Sequence, residues 1–205
     1  MRLPRLIVIT DWALPAPVLF SRLEGVLSLG PSVGLQHRHP QADLGQLEEE
    51  ALALRALTRR WGNPLFVNGP PELARRLGTH LHLPSYRPRV GRADLAPGTW
   101  ISAAVHDPAQ AAALGDVDLA LVSPVFPPGS KGSEARPTLG PDGFCRLAAQ
   151  LPCQAFALGG INRNSVRALT AAAGVAAISA VLRADDPRKE AVAILAALPS
   201  AKGSA

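Results

Sequence analysis

The chain has few aromatic side chains and almost no cysteine, and both shortages exclude some classes of protein. Phe, Trp and Tyr make up 4% of its 205 residues, which leaves few rings on which single-stranded nucleic acid could stack. Its two cysteines, Cys145 and Cys153, lack the spacing of a metal site. We interpret them as reduced core residues of a cytoplasmic protein.

The sequence also lacks a long apolar segment. No stretch reaches the length of a membrane span. The apolar run from Leu6 to Thr10 is too short for a secretion signal, and Asp11 follows it at once. We therefore expect no membrane partner.

Positive charge exceeds negative charge, with a formal net charge of +5 at pH 7. Arginine carries most of it, and these arginines are scattered along the chain rather than clustered with aromatic residues. Such a distribution is typical of a solvated surface, so we expect no nucleic acid partner.

Short apolar segments alternate with helical segments along nearly the whole chain. The predicted strands are Leu6–Thr10, Ser32–His37, Leu65–Asn68, His80–Leu83, Trp100–Ala104, Leu119–Ser123, Gln154–Leu158 and Ala176–Ala180. The predicted helices are Pro15–Leu29, Leu44–Trp61, Pro71–Leu77, a short stretch near Ala93, Pro108–Leu114, Pro141–Leu151, Arg163–Ala173 and Pro187–Leu198. Eight such units indicate an α/β protein, a closed (β/α)8 TIM barrel. We expect one domain over residues 1–205, with about 200–205 as a disordered tail. An open doubly wound sheet is the alternative, but no Gly-x-Gly-x-x-Gly follows the first strand.

Two apolar strands near the C-terminus end on small residues and continue into predicted helices. The first ends on Gly159-Gly160 and the second on Ser179-Ala180. Small residues let an anion approach the backbone, and a helix N-terminus directs unpaired N–H groups toward it. A lone Gly-Gly is as readily a tight turn without function. Barrels of this kind commonly hold a substrate phosphate in their last two βα turns, so these four residues form a predicted phosphate site.

Other predicted strand ends would face the same site. The candidate substrate-binding residues there are Gln36, Arg38, Asn68, Ser123 and Lys131. Arg38 and Lys131 are cations suited to an anionic substrate. Lys131 belongs to the polar segment 127–138, which we expect to act as a lid that orders on substrate binding.

Five histidines are candidates for proton transfer or metal binding. His106 follows the fifth predicted strand, where it could exchange a proton near neutral pH, although a packing role is equally open from the sequence. The pairs His37/His39 and His80/His82 each share a strand face. No third ligand of standard spacing accompanies either pair, so we expect no metal.

Taken in chain order, these segments resemble the thiamine phosphate synthase/thiazole tautomerase (TenI-type) barrels. The likeness covers nearly the whole chain and runs through Leu6–Asp11, Gln36–Arg38, Val67–Gly69, Ser123–Phe126 with Ser130-Lys131, Leu158–Asn162 and Ala177–Ala180. The resemblance implies a cytoplasmic enzyme of thiamine biosynthesis that binds a thiazole phosphate.

The chain departs from the synthase pattern at several positions. In synthases the Gln-x-Arg segment is followed by an acidic residue and a lysine that serves the pyrophosphate, whereas His39 and Pro40 stand here. Synthases also carry aspartates after strands three and four that hold magnesium. Here Asn68-Gly69-Pro70 and Leu83–Tyr86 occupy those places. Without magnesium, the pyrophosphate leaving group would lose its main charge stabiliser.

The tautomerase pattern is closer, because its Asn-Gly, Leu-Pro-Ser and Val-His segments recur at 68–69, 83–85 and 105–106. In that branch the histidine shuttles the proton, so the resemblance implies that His106 is catalytic. We therefore expect a thiazole tautomerase, an isomerase that aromatises a carboxylated thiazole phosphate by metal-free proton transfer without a cofactor.

Two alternatives stay open. One is a transferase, thiamine phosphate synthase, which couples thiazole phosphate to hydroxymethylpyrimidine pyrophosphate. The other is a non-catalytic binder of thiazole or thiamine phosphate, since a barrel and a phosphate site do not make an enzyme. The expected partner is a small phosphorylated thiazole in each case, and a homodimer is left open.

Overall fold

A computed structural model describes residues 2–84, 90–127 and 137–199. Its strands are β1 (Leu6–Ile9), β2 (Val33–His37), β3 (Leu65–Val67), β4 (His80–Leu83), β5 (Ile101–Val105), β6 (Leu119–Val122), β7 (Gln154–Leu158) and β8 (Gly174–Ala177). Each strand pairs in parallel with the next, and β8 pairs with β1. The predicted single-domain (β/α)8 barrel is confirmed. The expected tail at 200–205 lies outside the described residues.

Helices cover the outside of the barrel. They are α1 (Ala16–Leu27), α2 (Leu44–Arg59), α3 (Pro71–Leu77), α4 (Pro108–Ala112), α5 (Gly140–Ala148), α6 (Ser179–Leu182) and α7 (Pro187–Ala197), with 3-10 turns at Arg92–Asp94 and Ser165–Ala168. The side chains of Asp43, Asp107 and Asp186 cap α2, α4 and α7 by accepting backbone N–H groups. Within the described part of the chain, no helix is long and apolar enough to cross a bilayer.

Strand residues alternate between two buried environments. One set packs outward against the helices, and the other fills the barrel. The apolar cluster inside the barrel contains Ile7, Ile9, Phe66, Leu119, Leu121, Phe156 and Ala176. Polar residues occupy the remaining inward positions on β2, β4 and β5, where Gln36, His82 and Ser102 are buried. The interior therefore combines an apolar cluster from β1, β3, β6, β7 and β8 with buried polar residues from β2, β4 and β5.

The prediction for the last strand is wrong at its C-terminal end. The predicted strand Ala176–Ala180 is Gly174–Ala177 in the structure, and Ser179 begins α6. Small apolar residues fit a strand or a buried helix equally well, so periodicity alone could not separate them. Ladder pairing ends with Val8 opposite Ala177, and the chain beyond turns into a helix.

The predicted helix Arg163–Ala173 is also wrong, because only a 3-10 turn at Ser165–Ala168 forms there. The side chain of Asn162 accepts the backbone N–H groups of Asn164 and Ser165 at 2.9 and 3.1 Å. Such a side-chain turn competes with regular helical hydrogen bonding.

Candidate functional site

An open cavity of about 860 Å³ lies at the C-terminal ends of β1, β2, β7 and β8. Five of the predicted site residues line it: Arg38, Gly159, Gly160, Ser179 and Ala180. Barrel closure thus brings the predicted phosphate turns and one predicted cation to a single cavity, on the face where barrels of this kind carry their active sites.

The Gly159-Gly160 turn has a conformation that other residues rarely adopt, with φ of +100° and +62°. It also lies against the segment that follows β6. A Cβ on Gly160 would stand 2.5 Å from the carbonyl oxygen of Pro127 and 2.6 Å from Cβ of Phe126. The fold itself therefore requires glycine here, whether or not an anion binds.

The second turn enters α6. Ser179 and Ala180 begin this helix, so their backbone N–H groups have no partner inside it. Arg183, which follows α6, lines the same cavity. Its Nε donates to Oδ2 of Asp11 at 2.8 Å, which joins the end of β1 to the end of β8. The sequence reasoning missed Arg183 because the residue lies beyond a segment predicted to be a strand.

Arg38 is fixed through its backbone at the end of β2. Its N–H donates to Oγ1 of Thr10 at 2.9 Å, and the same hydroxyl donates to the Arg38 carbonyl at 3.1 Å. The exposed guanidinium faces the cavity. Burial, and secondarily the charge of Arg38, lowers the pKa of His82 to about 3, so His82 is neutral at physiological pH.

His39 also lines the cavity and is held on two sides. Its Nδ1 lies 2.9 and 3.0 Å from the two carboxylate oxygens of Glu50 on α2. Its ring stacks on Trp12, with centroids 5.2 Å apart and planes at 9°. Neither Trp12 nor Glu50 was predicted, because no local pattern links residues so far apart in the sequence.

His37 points outward from the same strand, toward α2. Its Nε2 lies 3.3 Å from the Leu47 carbonyl and 3.4 Å from Glu50. Burial lowers the pKa of His37 to about 4, although the Leu47 hydrogen bond opposes the shift. The ring is therefore neutral at pH 7, and its contact with Glu50 is not an ion pair there.

The other two histidines of the predicted pairs lie inside the barrel. Nδ1 of His82 is 2.8 Å from the Ser102 hydroxyl, which in turn donates to the Leu81 carbonyl at 3.2 Å. Nδ1 of His80 accepts the N–H of Trp100 at 3.0 Å, and burial lowers its pKa to about 4. Both rings have structural partners, and neither is among the residues that line the cavity.

His106 lies at the end of β5 beside Ser123. Its Nδ1 is 2.7 Å from the Ser123 carbonyl oxygen and 3.2 Å from the Ser123 hydroxyl. A carbonyl only accepts, so Nδ1 carries a proton, and Nε2 is the unprotonated nitrogen of the neutral ring. Neither His106 nor Ser123 is among the residues that line the cavity.

The remaining predicted substrate-binding residues are dispersed. Gln36 is buried in the barrel, and its Oε1 has no hydrogen-bond partner among the described residues. Asn68 follows β3, where its backbone N–H donates to the His37 carbonyl at 2.9 Å. Lys131 and the rest of residues 128–136 of the predicted lid at 127–138 lie outside the described residues.

The described rim does not fit the magnesium site that the synthase pattern implies. Gly69 stands where that pattern has the aspartate after strand three, and the segment Leu83–Tyr86, of which the structure describes only Leu83 and Pro84, contains no carboxylate where the pattern has the second. The Asp11 carboxylate is bound by Arg183, and that of Glu50 by His39. In residues 2–84, 90–127 and 137–199, no three His, Cys, Asp or Glu side chains converge as metal ligands would.

Comparison with known proteins decides the family. The sequence profile described as thiamine monophosphate synthase matches residues 6–181. The chain belongs to this family. The thiamine-phosphate synthase of Mycobacterium tuberculosis is 36% identical over 169 residues, which cover 76% of this chain and 75% of that protein. The thiamine-phosphate synthase of Chloroflexus aurantiacus is 32% identical over 189 residues, or 89% and 87% of the two chains.

A solved structure of the thiamine monophosphate synthase family agrees in fold. Thiamine phosphate pyrophosphorylase from Pyrococcus furiosus superposes with a TM-score of 0.79 at 26% identity, and 95% of each chain is covered. The expected superfamily is therefore confirmed.

These relatives overturn the expectation of a thiazole tautomerase. The two curated relatives are named as thiamine-phosphate synthases, which supports a transferase over an isomerase. The tautomerase expectation depended on short motifs at 68–69, 83–85 and 105–106. Such positions follow strand ends, where substitution disturbs the barrel little. Identity spread over most of the chain is the stronger indicator.

Proposed function

We propose that this protein is a thiamine-phosphate synthase, a transferase that joins a thiazole phosphate to hydroxymethylpyrimidine pyrophosphate. The observation that carries the proposal is one cavity with two regions suited to anions. Arg38 and His39 lie on its β2 side, and the small-residue turns of β7 and β8 lie on the other. Two such regions match a reaction between two phosphorylated substrates.

The thiazole phosphate is assigned to the β7–β8 side. Its phosphate would meet the backbone of Gly160, Ser179 and Ala180, with Arg183 beside them. A terminal phosphate needs several donors at close range, and backbone N–H groups supply them without bulky side chains.

The pyrophosphate of the second substrate is assigned to the β2 side. In the reaction, the thiazole ring nitrogen forms a bond to the pyrimidine methylene, and the C–O bond to pyrophosphate breaks. The pyrophosphate leaves with the electron pair, so negative charge grows on it in the transition state. Arg38 is positioned to stabilise that charge, because guanidinium groups bind phosphate oxygens well.

The polar residues at the ends of β3, β5 and β6 would border the two substrates. Asn68, Ser123 and His106 do not line the described cavity, and we assign them to hydrogen bonds with the parts of the substrates that reach beyond it, above the unpartnered carbonyl oxygen of Gln36. Formation of the C–N bond requires no proton shuttle, so His106 is assigned to substrate positioning. Lys131 keeps its proposed role as a substrate-binding cation, and the enzyme is proposed to work in the cytoplasm.

Incubation of the purified chain with both substrates tests the function. We expect thiamine phosphate, detected after oxidation to its fluorescent thiochrome, and pyrophosphate in equal amount. The assay is run with magnesium and with a chelator, because the described rim departs from the synthase carboxylate pattern. Absence of both products under every condition would refute the proposal. Binding of thiazole phosphate without turnover would favour the non-catalytic binder.

A further inference from the structure

We propose that the side chain of Arg183, which is held by Asp11, selects the phosphorylated thiazole over the free thiazole alcohol by contacting its phosphate; this role rests on the proposed synthase function. The turns that mark the phosphate site in the sequence are Gly159-Gly160 and Ser179-Ala180. They contribute backbone N–H groups but no charged side chain. Arg183 adds a full positive charge at the same cavity.

The backbone alone offers a phosphate little charge at this site. The helix α6, which begins with Ser179, has only four residues, so few peptide dipoles add up along it. A phosphate monoester carries between one and two negative charges near neutral pH. We therefore expect a side-chain cation to contribute much of the affinity for the phosphate.

The carboxylate of Asp11 orients the guanidinium of Arg183. Nε donates to Oδ2 at 2.8 Å, and Nη2 lies 2.8 Å from the same oxygen. The carboxylate is itself fixed, because its Oδ1 accepts the backbone N–H of Ala13 at 3.2 Å. Nη1 has no hydrogen-bond partner among the described residues. The edge formed by Nη1 and Nη2 is thus open to two phosphate oxygens, and such bidentate pairing is a strong mode of phosphate binding by arginine.

The position of Arg183 suits contact with a ligand at the β8 turn. Its backbone N–H donates to the Ser179 carbonyl at 2.9 Å, one helical turn back, and 53% of its side chain is exposed. Asp11 is the one carboxylate among the described residues that line this cavity. Neutralising that carboxylate is therefore the other role that Arg183 can have, and a double variant separates it from contact with the phosphate.

Four variants separate these roles. R183Q removes the cation and keeps a polar side chain, whereas R183K keeps the charge but loses the paired N–H groups of one edge. R163Q is the matched control, because Arg163 is a half-exposed arginine that pairs with the carboxylate of Glu190 and does not line the cavity. The double variant D11N/R183Q lacks both charges, so it removes any repulsion between Asp11 and a phosphate.

Calorimetry on the full chain measures the dissociation constants of the thiazole phosphate and of the corresponding thiazole alcohol. The constant for the alcohol divided by that for the phosphate gives the preference for phosphate. We expect R183Q to lower this preference about 10-fold, the lower end for a hydrogen bond to a charged group, because the side chain is half exposed. R183K should lower it less, and R163Q should not change it. D11N/R183Q should stay well below the unmodified chain.

Steady-state kinetics give a second measurement of the same role. A contact with the phosphate, which takes no part in bond formation, stabilises the bound substrate and the transition state alike. R183Q should therefore raise KM for the thiazole phosphate and change kcat little.

Three results would overturn the role of Arg183, even if thiamine phosphate forms normally. They are an unchanged preference for phosphate in R183Q, an equal loss in R163Q, and a preference restored in D11N/R183Q, which would show that Arg183 only neutralises Asp11. An unmodified chain without any preference for the phosphate would overturn it too. A preference that depends on Arg183 in a chain that forms no thiamine phosphate would support this phosphate contact and refute the synthase function.

Discussion

The two sides of the barrel mouth present different kinds of groups to the cavity. On the β7–β8 side the groups are backbone atoms of small residues, together with Arg183, above an apolar interior that contains Phe156 and Ala176. On the β2 side they are the side chains of Arg38 and His39, and the interior below contains the buried polar residue Gln36.

Because of this difference, we expect substitutions on the two sides to affect stability and binding differently. A site made of backbone groups depends on shape, because each added atom meets a neighbouring segment. In a site made of charged side chains, ligand affinity depends on the protonation of those side chains and on their ion-pair partners. These side chains extend into the cavity and do not pack in the core. Substitutions on the β7–β8 side should therefore lower stability and binding together, and those on the β2 side should mainly lower binding.

The largest expected effect is acid destabilisation through three buried histidines. Burial lowers the pKa of His82 to about 3, and those of His37 and His80 to about 4, from 6.5. The folded protein keeps these rings neutral, whereas the unfolded chain binds protons below pH 6.5. The free energy of unfolding should therefore fall as the pH drops from 6.5 toward 4, by up to about 2 kcal/mol per histidine at pH 5.

Urea unfolding at pH 7 and pH 5 measures this loss. The variant His82→Gln should lose less stability on acidification than the unmodified chain, because one of the three buried rings is absent. An identical loss in both proteins would show that His82 does not cause it.

The next effect tests the shape requirement of the β7–β8 side. Gly160→Ala adds a Cβ that would meet Pro127 and Phe126 at a residue with φ of +62°, so we expect a loss of about 3 kcal/mol in unfolding free energy. Gly62→Ala is the control, because Gly62 has φ of +70° and no atom within 4 Å of the added Cβ. It should lose about 1 kcal/mol. Equal losses would mean that packing against the segment after β6 contributes nothing.

A third effect tests the charge requirement of the β2 side. Arg38→Ala should lower kcat/KM for the pyrimidine pyrophosphate about 10- to 100-fold, because a hydrogen bond to a charged group is lost. Its unfolding free energy should change by less than about 0.5 kcal/mol, as for an exposed side chain. Arg60→Ala, which removes a surface pair with Glu24, should leave kcat/KM unchanged. A marked loss of stability in Arg38→Ala would contradict the expectation that substitutions on the β2 side mainly lower binding.

The smallest effect concerns His106, which lies outside both anion regions. C–N bond formation needs no proton shuttle, so His106→Asn should lower kcat by less than about 10-fold. General acid–base groups typically contribute about 10²- to 10⁴-fold. A loss of 100-fold or more, measured under substrate saturation, would indicate a proton transfer in the rate-limiting step.

Much of the fold could be predicted because its signals are local. Strands and helices can each be recognised from the pattern of apolar residues within the segment itself. The order of these segments then indicates the barrel. The prediction from local pattern was wrong at Ser179 and Ala180, because small residues are compatible with either a strand or a helix. The strand ends where its pairing with β1 ends, and that point depends on tertiary structure. The helix predicted from Arg163 was also wrong, because the side chain of Asn162 accepts the backbone N–H of Ser165 in place of a helical hydrogen bond.

The sequence motifs predicted the wrong reaction. Asn68-Gly69 and Val105-His106 favoured an isomerase, yet His106 does not line the cavity, and the relatives are named as synthases. Short motifs at strand ends are a small sample of the positions that two chains share. Such motifs therefore indicate the reaction less reliably than identity over most of the chain does.

By itself, the sequence determined that eight strand–helix units form a barrel and that small residues end its last two strands, since both follow from neighbouring residues. Tertiary structure alone decided which side chains meet. Closure of the barrel brings Asp11 to Arg183, 172 positions away, and packing of α2 on β2 brings Glu50 to His39. These contacts depend on the path of the whole chain, and no local pattern encodes them.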